Sequence, residues 1–271
     1  MTTPGVVDDP FAEGDVPQVP LSRNPLALTL FQAKFPGMVA PLQVAIDDRS
    51  LSRALSDDYP YSEAQDIFEL VLQPGKAPEP HRTAARAWRF ADESRTWFVT
   101  LAPDSITLHT TAYESRTDFL NRTSTLLHRI CEHVKLPSLS RLGFRYTNRA
   151  EGSDNIREIV RHLAPGAQGL LSVVKDTDPI AHIMSEVSYR WASDYAVLAK
   201  WGLLPPGATL DAAMPATTAP SWVLDIDVYH EATLEFDVEL VIEELMQLSK
   251  RAYRFFRWAV LPEGLKQFGA E

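Results

Sequence analysis

Cysteine is almost missing from this chain. Cys131 is the only one in 271 residues, which excludes an intramolecular disulfide and makes a reducing cytoplasm the expected compartment. Glycine is sparse as well, with 12 residues, which disfavours a phosphate-cradling loop. No Walker A loop, nucleophile elbow, HExxH, paired CxxC or dinucleotide turn occurs, so the chain reads as non-catalytic and without a cofactor. No apolar run approaches the ~18 residues that span a bilayer. The start, "MTTPGVVDDPFAEGDVPQVP", lacks the basic and apolar regions of a signal peptide, so no membrane is expected. Positive charge is in the minority, 26 Lys and Arg against 36 Asp and Glu, for a net −10. A phosphate backbone would be repelled by that field, so nucleic acid is not the expected partner. An acidic surface suits solubility, or another protein that presents a basic surface.

What is present reads as α+β: two similar halves, each a set of antiparallel strands followed by one long amphipathic helix. Residues 1–23 hold Asp8, Asp9, Glu13, Asp15 and four prolines before Arg23, and read as a disordered acidic arm. The N-terminal half covers 24–150, a connection 151–169, and the C-terminal half 170–271, and the halves could still form one compact unit. A strand is expected at 26–35 and a helix across 41–55. "ARAWRF", "TWFVTLA" and "SITLHTT" give three more strands. Ser115 with Asp118 marks a helix start. "AHIMSEVSYRWA", "YAVLAKWGLL" and "WVLDIDVYH" follow as strands, with 204–220 a proline- and alanine-rich loop. A helix over 237–260 is capped by Asp237. No residue-level repeat supports a duplication, and homo-oligomerisation stays open.

The polar content concentrates in "GFRYTNR". Alternation puts Phe144, Tyr146 and Asn148 on one face and Arg145, Thr147 and Arg149 on the other. In "WVLDIDVYH" the same rule turns Asp225, Asp227 and Tyr229 away from Trp222, Leu224, Ile226 and Val228. The two strands are either neighbours with charge-paired rungs or members of separate sheets, each decorating a groove. Arg145 is expected to be part-buried against Asp225 or Asp227. Arg145, Tyr146, Asn148, Arg149, Asp225 and Asp227 are therefore the candidate ligand- or partner-binding residues. The alternative is a metal-dependent enzyme acting on a small or nucleotide substrate through Asp225 and Asp227, with His230 as a third ligand. Carboxylates two apart on a strand lie ~7 Å from each other, too far for one ion without further ligands.

Two other clusters read as structural. His128 and His133 are five apart and share no helical face, so Cys131 is expected in the core and the histidines outside it. In "KRAYRFFRW", Lys250, Arg254 and Arg257 share a face and complement the helix dipole, while the aromatics fall on the core stripe.

"PLALTLFQAKFP", "WRF", "YESRTDF", "GFRYTNR" and "LDIDVY", in this order over about residues 24–260, resemble a sporadically distributed bacterial family of similar length, itself functionally uncharacterised. The resemblance highlights Arg145, Tyr146, Asn148, Asp225 and Asp227 and attaches no chemistry to them. A patchy distribution is common among phage-defence and toxin–antitoxin proteins. The expectation is a protein-interaction module, antitoxin-like or part of a bacterial defence system.

Overall fold

A computed structural model describes residues 5–71, 79–173, 180–191 and 194–270. The chain is α+β with an antiparallel sheet, and it divides into two units. One comprises Leu30–Leu142 and Glu231–Glu243. The other comprises Met1–Thr29, Gly143–His230 and Glu244–Glu271. A unit drawn from three separate chain segments is not the simple succession of halves that the sequence suggests.

In the Leu30–Leu142 unit the hydrogen-bonded order is β2 (Tyr61–Val71), β3 (Glu79–Ala91), β4 (Trp97–Ala102), β5 (Ser105–Thr110) and β1 (Leu26–Lys34). The β3–β4 turn is built by Asp92, whose Oδ1 accepts the amides of Thr96 at 2.8 Å and Trp97 at 3.0 Å. Strand β2 is the edge that the sequence reading missed. The expected 41–55 helix is two, α1 (Ala40–Asp47) and α2 (Ser50–Leu55). Arg49 adopts φ 61° between them, and Asp48 Oδ1 takes the Ser50 amide at 2.8 Å, closing a turn that ends α1. Helix α3 (Arg116–Cys131) starts where expected, with Ser115 Oγ accepting the Asp118 amide at 3.1 Å. It buries Phe119, Leu126, Leu127 and Ile130. Cys131, expected in the core, is exposed at the last turn, off that buried face.

In the other unit, β1 contributes its residues up to Thr29, and the order runs β1, β6 (Arg141–Glu151), β9 (Ser221–His230), β8 (Tyr195–Leu204) and β7 (Ile183–Trp191). Trp222, Leu224, Ile226 and Val228 of β9 are buried, as are Leu245, Leu248, Ala252, Phe255 and Phe256 of α6 (Val238–Ala259). Helices α4 (Ser153–Arg161), α5 (Pro165–Gln168) and α7 (Pro262–Gln267) complete the unit. Trp201 Nε1 donates to the Ala167 carbonyl at 2.8 Å, tying β8 to α5. Residues of the acidic arm from Gly5 to Val19 contact α6, and Arg23 donates its amide to the Phe268 carbonyl at 2.9 Å. Lys250 pairs with Asp15 at 3.0 Å, and Tyr253 Oη accepts the Val19 amide at 2.9 Å.

Candidate functional site

The pleat of β6 sends Arg145, Thr147 and Arg149 to one face at every second residue. Strand β9 presents Asp225 and Asp227 by the same rule, and the structure brings Arg145 and Thr147 onto Asp225, with the charge of Asp227 acting on Arg145. Arg145 grips Asp225 with two parallel bonds, Nε to Oδ1 at 2.6 Å and Nη2 to Oδ2 at 3.0 Å. Thr147 donates its hydroxyl to the same Oδ1 at 2.7 Å. The third guanidinium nitrogen, Nη1, reaches Asp211 Oδ2 at 2.6 Å. One planar cation thus holds two carboxylates, which is the geometry that favours arginine over lysine. The Asp225 side chain is 8% exposed and that of Arg145 19%.

Burial opposes the charge on Arg145. The hydrogen bonds and charge of Asp225, followed by the charges of Asp211 and Asp227, outweigh it and raise the guanidinium pKa further above its ordinary value. The cation is therefore permanent at any pH the fold survives.

Arg149, one step along the same face, donates to the Pro215 carbonyl and pairs with Glu151 at 2.6 Å. Glu151 in turn accepts the Thr217 hydroxyl at 3.1 Å. Asp211, Pro215 and Thr217 all lie in the loop between β8 and β9, residues 205–220. Within it, Asp211 Oδ1 takes the Ala213 amide at 2.8 Å, and the Gly207 amide donates to the Thr217 carbonyl at 2.8 Å. The polar equipment of "GFRYTNR" therefore clamps a long loop onto the sheet. The row continues sideways: Asp225 lies opposite Lys200, and Lys200 opposite Glu186, with which it forms a 3.0 Å ion pair.

The other candidates go elsewhere. Tyr146 is buried and meets Phe144 edge-on at 4.7 Å. Asn148, 2% exposed, donates to the Leu224 carbonyl at 3.2 Å. Strand parity separates His230 from Asp225 and Asp227. It stacks on Tyr195 at 4.0 Å and approaches Glu244 at 3.4 Å, without hydrogen-bond alignment. The guanidinium of Arg145 sits where a cation shared by Asp225 and Asp211 would sit. Among the described residues, no group of three or more His, Cys, Asp or Glu could hold a metal ion. His128 and His133 are exposed.

Asp211, Glu151, Thr147 and Thr217 belong to the site and were absent from the sequence-based set. The signal that could have found Asp211 is "TLDAA", a short polar residue two before an aspartate, which the Thr209 hydroxyl and the Asp211 amide use for a local turn.

The other unit holds a cleft of about 500 Å³ lined by Asp57, Asp58, Tyr59, Asp92, Arg122 and Arg129 among others. Arg129 is committed to Asp58 at 2.7 Å. Arg122 holds Asp118 and lies 4.4 Å over the Trp97 ring. No family model, curated protein or solved structure matches the chain. No helix among the described residues is long and apolar enough to cross a membrane.

Proposed function

We propose that the protein is a non-catalytic interaction module that presents the 205–220 loop to a partner protein. The observation that carries this reading is the clamp on the loop. Arg145, Arg149 and Glu151 fix it at Asp211, Pro215 and Thr217. A loop of this length without strand or helix is uncommon in a compact unit and, when ordered, is usually functional, as a lid or a binding loop. Rigid presentation lowers the ordering cost of binding. Ala212, Pro215 and Ala216 remain exposed between the tethers.

The net charge of −10 supports a partner with a basic surface, met in the cytoplasm. The sporadic family that the motifs resemble has the distribution of defence and toxin-neutralising systems, which supports that setting. Residues 24–150 and 170–271 are, in this reading, similar halves, each a set of antiparallel strands followed by one long helix, α3 in the first and α6 in the second.

The test places a photo-crosslinking residue at Ala212 or Ala216 in cells of the native host. A single protein should crosslink at both positions and be lost in Asp211→Ala. Crosslinks no different from those at Asp104, an exposed site far along the chain, would end this reading.

A further inference from the structure

Helix α6 carries four cations in one stretch, Lys250, Arg251, Arg254 and Arg257, and all four are occupied by the N-terminal arm. Arg254 donates to the backbone carbonyls of Asp9 at 3.4 Å, Glu13 at 3.2 Å and Gly14 at 2.9 Å. Arg257, only 3% exposed, donates to the carbonyls of Pro17 and Gly5, each at 3.0 Å. Lys250 and Arg251 take side chains instead, Asp15 at 3.0 Å and Glu13 at 3.7 Å. The arm's single aromatic, Phe11, stacks flat on Tyr189 of β7 at 3.9 Å and 13°. Around it lie Pro10, Trp191, Val197, Val228, Arg251 and Phe255.

The arm folds back on itself, with Gly5 and Pro17 meeting one guanidinium and Gly14 at φ 98° between them. Five bonds to main-chain carbonyls read the backbone of this folded-back segment and not its sequence. Selectivity then rests on an aromatic anchor and on acids placed to meet Lys250 and Arg251. Pro10, Pro17 and Pro20 restrict the arm's φ angles, which lowers the entropy lost on docking. The donors of Arg254 and Arg257 meet main-chain carbonyls and not anionic oxygens, so the donor arrangement favours a peptide over a nucleic acid.

We propose that this groove is a peptide-recognition site, with the arm as its intramolecular occupant. Its partner in trans is an acidic, proline-containing segment of another protein that folds back in the same way and bears an aromatic anchor. The site is separate from the 205–220 loop and stands or falls without it.

The test uses the full chain with the arm weakened by Phe11→Ala and Asp15→Lys, and a fluorescent peptide of residues 5–20 as the probe. Saturable binding should be at least 10-fold tighter to this variant than to wild type. It should fall at least 10-fold when Arg254→Ala is added, or when the peptide itself carries Ala at its phenylalanine. Equal affinity for wild type and the weakened variant overturns the proposal. So does tighter binding of single-stranded oligothymidylate than of peptide, which would make the groove a nucleic-acid site. A second measurement needs no variant: excess peptide should accelerate proteolysis of the wild-type arm, and an unchanged rate counts against displacement. A wild-type dimer that dissociates on Phe11→Ala would assign the groove to a second copy of the chain and overturn the foreign partner.

Discussion

Arg145 is held by two carboxylates, and its removal would strip buried Asp225 of both guanidinium bonds while the Thr147 hydroxyl stays. Arg145→Ala should therefore cost ~3–5 kcal/mol, read from urea denaturation. Arg145→Lys should restore only part of it, because an ammonium cannot span both carboxylates in the same plane. Tyr59 offers a pH readout. Burial, followed by the Asp58 charge, pushes its hydroxyl up to about 12 from the ordinary 10.0. The folded pKa is the higher one, so this contribution to stability is intact below pH 10 and lost as pH climbs towards 12. Melting curves across that window should flatten in Tyr59→Phe relative to wild type. That Arg145 would meet Asp225 or Asp227 was legible from the sequence, because strand parity puts all three charges on polar faces; the choice of Asp225 depends on the register of β6 against β9, which parity does not give. Asp211 was legible only as part of a local turn with Thr209; its approach to Arg145 was not, since that depends on a loop path that no periodicity encodes.

At the scale of elements, the clamp predicts how the 205–220 loop is released. Asp211→Ala removes the Arg145 tether and Arg149→Ala removes the Pro215 tether, so the double variant should be cut within 205–220 at least 10-fold faster in limited proteolysis. A rate equal to wild type would mean that Met214 and Thr217, both buried, hold the loop without the arginines. Strand β8 makes a further forecast. Gly202 lies opposite Met184 at φ 156°, and a Cβ there would come within 1.9 Å of the Ile183 carbonyl oxygen. Gly202→Ala should split the β7–β8 pair and lower the Tm, where an ordinary surface substitution shifts stability by under ~0.5 kcal/mol. Helices α3 and α6 could be read in advance because their caps and apolar stripes are local. Strand β2 escaped because its first part, Tyr61–Gln65, is mostly exposed and carries no hydrophobic alternation, which leaves only the short apolar run that starts at Ile67 as a signal. The break between α1 and α2 rests on one left-handed arginine, for which sequence carries almost no signal.

At the scale of the whole molecule, the chain path departs most from what a linear reading suggests. Strand alternation and helix stripes are local signals, but assigning Met1–Thr29 and Glu244–Glu271 to one unit requires pairings across most of the chain. Lys250 and its partner Asp15 are 235 residues apart in sequence. During synthesis at ~5–20 residues per second, the arm would wait roughly 10–50 s before its helix exists. For that interval its acids and Phe11 are open to chaperones, proteases and neighbouring nascent chains on the same messenger. Ribosomes stalled after residue 230 should therefore carry chains whose arm is cleaved readily, whereas release of the finished protein should abolish that cleavage.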